Sequence, residues 1–274
     1  MNMNALEQEK FQKLQTMIEY CAAQDICVAF SGGVDSALLL KLVCDAAAKT
    51  KKKVWAVTFD TVLHPAADTV VARRVASEMG ACHAVLSVNE LSNPQMKYNP
   101  VDRCYLCKKS LFERLLAFAE EKGMEVILEG SNADDLKTYR PGIRAVQELG
   151  IKSPLADCGV TKNEVRLFAK ELGISVAARP STPCLATRLP YGAEIDTALL
   201  GRIGEGEERL RKMGLTNVRV RVHGDILRLE VDISQMKRLL DCRGEVLEAL
   251  SEVGCTYVTL DLEGFRSGSM DTFL

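Results

Sequence analysis

The stretch Ser31-Gly32-Gly33-Val34-Asp35-Ser36 stands between two apolar runs, 26–30 and 37–43. A buried strand, a glycine turn and a following helix gather backbone N–H groups and a positive helix end around one point, which is what a phosphate chain requires. Gly32 and Gly33 let the backbone approach an anion with no Cβ in the way. Ser31 and Ser36 add hydroxyl donors, the N–H of Val34 lies in the same cradle, and Asp35 offers the oxygen ligands that a phosphate-bridging magnesium ion takes. A plain Gly-Gly turn capped by Ser and Asp has the same composition, but every position and the flanking chain suit nucleotide phosphates. A G-x-x-x-x-G-K-[ST] loop does not occur in the chain.

Three further groups of residues could do chemistry. Cys104 and Cys107, in Asp102-Arg103-Cys104-Tyr105-Leu106-Cys107, have the C-x-x-C spacing with which two thiolates grip one metal or exchange a disulfide. Cys184 follows Arg179-Pro180-Ser181-Thr182-Pro183, an extended segment ill suited to a core residue. Three cysteines leave one position open on a tetrahedral zinc or on a cubane iron–sulfur cluster, and an open iron can take up sulfide. A structural zinc completed by Cys158 or His83 is the alternative. The remaining seven of the ten cysteines are scattered mostly among apolar residues and read as small buried hydrophobes.

Glu129-Gly130-Ser131-Asn132-Ala133-Asp134-Asp135 follows another apolar run, so Gly130 can bring its backbone close to a nucleotide. Glu129 and Asp135 are candidates to orient magnesium or substrate, although Asp134 and Asp135 also suit the first turn of a helix. Arg219 and Arg221 alternate along a strand and share a face. Their paired guanidinium groups fit a phosphate or carboxylate, or else pair with carboxylates on a neighbouring strand.

These residues need elements to hold them. Periodicity predicts strands at 26–30, 54–59, 82–88 and 124–129, and helices at 5–23, 35–48, 65–79, 107–122 and 161–172, the last opening on a Thr161/Glu164 capping box. Continuous apolar strands alternating with helices give an α/β fold with a doubly wound parallel sheet, whose ligands sit beyond the carboxyl ends of the strands. That rule brings 31–36, the end of the second strand with Thr58, where adenine contacts are expected, and the stretch after Glu129 to one crevice. The pattern breaks near 179–195. A helix at 196–213, a hairpin of 218–222 and 226–230, a helix at 234–249 and a strand at 257–260 then form a smaller C-terminal α+β domain. The expected division is a nucleotide domain at 1–178, a connecting segment at 179–195 carrying Cys184, and the α+β domain at 196–274.

Composition narrows the partners. With 274 residues, 47% hydrophobic and 26% charged, the chain has core enough for one large or two modest domains. No apolar run approaches the roughly 20 residues of a membrane span, and the start of the chain has no leader pattern, so a cytoplasmic location is expected. A net charge of −2 argues against a long polyanion as the main partner, so nucleic acid is not expected.

The hexapeptide 31–36 resembles the PP-loop of the ATP pyrophosphatases (the adenine nucleotide alpha hydrolase-like fold), which implies ATP and magnesium. Together with RCYLCKK, EGSNADD and its Tyr139-Arg140-Pro141-Gly142, PSTPCLATRLPYG, RVRVHGD and the ending 259–268, it resembles the LarE family nearly end to end. These are ATP-dependent sulfur transferases of nickel-pincer nucleotide biosynthesis. The resemblance implies adenylation of a carboxylate of a pyridinium dicarboxylate mononucleotide, followed by replacement of oxygen with sulfur. Some members sacrifice the sulfur of a single cysteine. Others hold a 4Fe–4S cluster on three cysteines, and Cys104, Cys107 and Cys184 match that pattern, with sulfide or an upstream donor supplying the sulfur. Carried over by motif, Arg219 and Arg221 bind the substrate phosphate or carboxylate, with Thr187, Arg188 and Glu207 in the same pocket. A homo-oligomer is implied as well. The alternatives are a tRNA-thiolating PP-loop enzyme and a transferase that gives up the Cys184 sulfur.

Overall fold

The computed structural model describes residues 3–137, 141–266 and 268–270. The chain divides into two compact units. The first runs to Thr61 and takes in Ala66–Glu90 and Asp102–Ser181; the second comprises Val62–Pro65, Leu91–Val101 and the chain from Thr182 onward.

The first unit runs α1 (Ala5–Cys21), β1 (Ile26–Ala29), α2 (Val34–Thr50), β2 (Val54–Thr61), α3 (Ala66–Glu78), β3 (Cys82–Val88), α4 (Arg103–Glu121), β4 (Val126–Leu128), α5 (Pro141–Glu148), α6 (Pro154–Asp157) and α7 (Lys162–Glu171). Its strands pair in the order β3-β2-β1-β4, all parallel, with Ile26 opposite both Val54 and Val126. Alternation along β1 shares the sheet between two cores. Ile26 and Val28 pack with Phe11, Leu38, Val75 and Phe168 of α1, α2, α3 and α7, whereas Cys27 packs with Phe112, Leu115 and Val146 of α4 and α5. The sheet is therefore doubly wound. The chain steps outward from β1 to β3 and then returns to the other side of β1, which makes the β1/β4 edge the switch point where such sheets bind ligands.

Two local expectations differ from the structure. The helix expected from 107 begins at Arg103, a buried side chain whose packing outweighs the weak local start signal. Asp134 and Asp135 do not open a regular helix. A single 3-10 turn, Asp135–Lys137, follows Asn132, and Asp134 instead accepts a hydrogen bond from the N–H of Lys162 at 2.9 Å, at the head of α7. The short helices α5 and α6 were not anticipated. The capping box at Thr161 and Glu164 forms as expected.

The second unit contains α8 (Thr197–Lys212), β5 (Arg219–His223), β6 (Ile226–Glu230), α9 (Met236–Asp241), α10 (Arg243–Leu250) and β7 (Tyr257–Leu260). β5 and β6 form the expected antiparallel hairpin, with Arg219 opposite Glu230, and β7 adds parallel to β6. The helix predicted at 234–249 is broken at Cys242, where φ −102° and ψ 26° end α9 before α10 begins. Stretch 182–195 packs within this unit: the Asn99 side-chain amide donates to the carbonyls of Leu189 and Pro190 at 3.1 and 2.8 Å. Among the described residues no helix is long and apolar enough to cross a membrane.

Candidate active site

The 31–36 turn follows β1, as its composition required. Gly32 has φ +70°, and a Cβ on it would meet the backbone of Ala72 in α3 at 3.0 Å. Only glycine suits that conformation and that contact. The two serines lock the turn: the Ser31 and Ser36 hydroxyl oxygens are 3.1 Å apart, and Ser36 Oγ donates to Gly33 O at 3.1 Å. Gly33 is the N-cap of α2 and has no side chain with which to cap it, so the first-turn N–H groups suit an anion. Arg179 binds the turn from outside, donating to Gly32 O at 3.1 Å while pairing with Asp68 at 2.6 Å.

Asp35 lies on the first turn of α2 with an ion pair from Lys162 Nζ and a hydrogen bond from Asn132 Nδ2 at 3.1 Å. Gly130 lies against the same turn. A Cβ there would meet Ser36 N at 3.0 Å, so its glycine serves the approach of β4 to α2 as well as any approach to a nucleotide. Thr58 is buried, its hydroxyl donating to Phe30 O at 2.7 Å and standing 2.9 Å from His83 Nε2. Burial, assisted by the charge of Arg73, lowers the His83 pKa. Glu129 is fully engaged: Lys108 Nζ pairs with it at 3.0 Å, and Ser131 and Ser153 donate to it. Burial alone would raise this carboxyl; the charge of Lys108 and the serine hydrogen bonds outweigh it and hold the pKa below the usual value. Asp135 accepts from the N–H of Asn132 at 3.1 Å.

Cys104 and Cys107 lie in the first two turns of α4, one exposed and one half-buried, three residues apart and so on one helix face. Pro141 and Gly142 open α5 against these turns: a Cβ on Gly142 would meet Cys104 O at 3.3 Å and Lys108 Cδ at 3.1 Å. Tyr105 strengthens the seam, donating to Glu148 at 2.7 Å beneath the Arg144 guanidinium. Tyr139 and Arg140 of the same motif, and Ser267 of the C-terminal one, lie outside the described residues.

Cys184, half-buried in the second unit, caps the 3-10 turn Leu185–Arg188. The Thr187 hydroxyl donates to Cys184 O at 2.7 Å, and the Arg221 guanidinium donates to Thr187 O at 2.5 Å. Arg188 is wholly buried and grips Glu207 with two hydrogen bonds at 2.5 and 2.8 Å. Glu207 also accepts from Arg211 and from the N–H of Val220. Burial would raise Glu207, but Arg188, the Val220 N–H and Arg211 outweigh it and hold its pKa below the usual value. Arg221 pairs with Glu230 at 3.1 Å, and Arg219 stacks over the Phe265 ring at 5.0 Å. Burial, with the Arg188 charge beside it, pushes Arg219 down to about 10. The arginine face of β5 is thus buried rather than open to solvent.

The structure therefore brings Ser31, Gly32, Gly33, Val34, Asp35, Ser36 and Gly130 together in the first unit; Thr58, expected at a strand end, lies within β2, which runs on to Thr61. It brings Cys184, Thr187, Arg188, Glu207, Arg219 and Arg221 together in the second. Cys104 and Cys107 belong to the first unit and Cys184 to the second. Within either unit, among the described residues, no three His, Cys, Asp or Glu side chains converge as a metal site. Sequence reasoning missed Asn132, Lys162 and Arg179 around the loop. The capping box that starts α7 was the signal that could have found Lys162.

Residues 5–138 match the PP-loop domain, so the first unit makes this an ATP-binding protein of the PP-loop class. The chain is 35% identical over 92% of its length to pyridinium-3,5-bisthiocarboxylic acid mononucleotide synthase of Lactiplantibacillus plantarum, covering 90% of that protein. It is also 36% identical over 96% of its length to an uncharacterized Synechocystis protein, covering 98% of it. A Methanocaldococcus jannaschii protein, also uncharacterized, is 30% identical over 88% of the chain, with 91% of that protein covered. The chain belongs to the LarE family of ATP-dependent sulfur transferases.

Proposed function

We propose that the protein uses ATP to activate a carboxylate of pyridinium-3,5-dicarboxylate mononucleotide and replaces an oxygen with sulfur, giving a thiocarboxylate for a nickel-pincer nucleotide cofactor. The observation that carries this reading is the joining, in one chain, of a side-chain-free α2 start beside Asp35 with likeness along nine-tenths of its length to a bisthiocarboxylic acid mononucleotide synthase.

Backbone N–H groups of 32–36 hold the ATP phosphates. Asp35 is the residue suited to magnesium, which lowers the negative charge the phosphates present to an incoming carboxylate. A substrate carboxylate oxygen attacks the α-phosphorus, the bond to the bridging oxygen breaks, and pyrophosphate leaves with the electron pair. The acyl adenylate now carries AMP as a good leaving group, and sulfide displaces it. Arg219 and Arg221 bind the substrate phosphate or carboxylate; burial makes Arg219 a poorly solvated cation that favours an anion. Arg188 and Glu207, satisfied by each other, keep β5 and the Cys184 turn in register.

Cys104, Cys107 and Cys184 take part in no disulfide and none of them is fully buried; three such thiolates would suit a 4Fe–4S cluster. The cluster, when bound, supplies an iron with an open position for sulfide. The test is pyrophosphate release dependent on ATP and the mononucleotide. Wild-type protein releases it and Asp35→Ala does not. Retained release in Asp35→Ala contradicts the role given to Asp35, and an inert wild type contradicts the proposal as a whole.

A further inference from the structure

Arg179 lies in the segment after α7 and reaches the 31–36 turn from outside. Its guanidinium donates through Nη1 to Gly32 O at 3.1 Å and through Nη2 to Asp68 Oδ1 at 2.6 Å. Asp68 is in the first turn of α3, the helix whose Ala72 backbone abuts Gly32. The peptide that Arg179 grips joins two glycines, so no Cβ on either side opposes its rotation. It is a planar trans peptide, in which the C=O of one residue points opposite the N–H of the next. With Gly32 O turned to Arg179, the Gly33 N–H is turned the other way, where it makes a long hydrogen bond of 3.3 Å to Ser31 Oγ. Gly33 is the N-cap of α2 and has no side chain of its own to fix that orientation. The Arg179–Asp68 pair is partly exposed, and as a fastening alone it would contribute little to stability.

We infer that Arg179 is a positioning residue for ATP: it holds the Gly32–Gly33 peptide with the Gly33 N–H toward the phosphates and prevents the flip that would present the Gly32 carbonyl to them. This rests on the reading of 31–36 as the ATP site. A carbonyl oxygen turned into the cradle repels an anion, whereas an N–H attracts one, so only one of the two peptide orientations binds. Apparent affinity falls in proportion to the fraction of chains in that orientation. A guanidinium suits the role, because its planar fork serves the carbonyl and the Asp68 carboxylate at once, and Asp68 keeps it aimed. Arg179 acts through the peptide and not on the nucleotide. The long Gly33–Ser31 hydrogen bond is the one that a phosphate oxygen replaces.

Calorimetric binding of magnesium pyrophosphate, paired with amide relaxation dispersion at Gly33 in the ligand-free protein, tests this on the full-length chain. In wild type Gly33 shows no millisecond exchange. Arg179→Met introduces it, as the peptide begins to flip, and weakens pyrophosphate about tenfold, the result of about one chain in ten keeping the receptive orientation. Arg179→Lys keeps the charge but cannot fork to both oxygens; it shows the same exchange with a loss of about threefold, so the test stands even where Arg179→Met does not fold. Asp68→Asn retains an oxygen for Arg179 and stays within about twofold of wild type. Absence of exchange at Gly33 in the Arg179 variants, or unchanged pyrophosphate affinity, overturns the inference. So does a loss in Asp68→Asn equal to that in Arg179→Met, since the ion pair rather than the carbonyl contact would then be what matters. Wild-type protein that binds no pyrophosphate overturns the ATP reading itself, a result distinct from these.

Discussion

Glu207 and Arg219 are buried charges of opposite kinds. Glu207 spends both oxygens on Arg188, Arg211 and a backbone N–H, whereas Arg219 is a desolvated cation stacked on Phe265. Removing one partner of a buried pair leaves the other uncompensated, so Glu207→Ala should cost about 3–5 kcal/mol, read as a lower urea midpoint. Because the folded-state pKa of Glu207 is depressed, its contribution is fully present above the unfolded carboxyl pKa, about 4.3, and is lost as pH falls through the folded value. Urea melts between pH 7 and pH 3 should therefore show a flatter acid limb in Glu207→Gln than in wild type. Arg219 behaves differently: inorganic phosphate should raise the melting temperature of wild type and do so much less in Arg219→Met.

At the scale of elements, glycines decide how closely the chain packs around the loop. Gly130→Ala places a Cβ 3.0 Å from Ser36 N, and backbone cannot yield there as a side chain would. The variant should fold with a loss of about 1–3 kcal/mol and release pyrophosphate far more slowly. The sheet was readable because its strands are continuous apolar runs bounded by turn residues: β3 runs over the predicted span, and β1 and β4 fall within theirs. The loop was readable because Gly32, Gly33 and Asp35 are neighbours in sequence. Lys162, Asn132 and Arg179 were not, because they reach the loop only through the return of the chain to β4 and beyond. The break at Cys242 and the early start of α4 at Arg103 also escaped, since tertiary packing rather than local propensity sets them.

Across the whole molecule, the candidate residues divide between two compact units, with the PP-loop and the C-x-x-C pair in one, and Cys184 and the arginines in the other. Sulfur delivery and ATP use separate in two measurements. Anaerobic reconstitution should give brown protein with about four iron per chain; colourless protein with stoichiometric zinc contradicts the cluster. Cys184→Ala should lose sulfur transfer yet still form the adenylate, since Cys184 belongs to the unit that does not carry the ATP loop; simultaneous loss of both activities contradicts that separation of roles.

The most direct test of ATP-driven sulfur insertion is mass spectrometry of substrate and protein after turnover with ATP, magnesium and a sulfide source. The account predicts a mononucleotide in which sulfur has replaced a carboxylate oxygen, AMP in equal amount, and Cys104, Cys107 and Cys184 intact. An unchanged mononucleotide contradicts the central claim, and dehydroalanine at Cys184 contradicts the cluster as the carrier of sulfur.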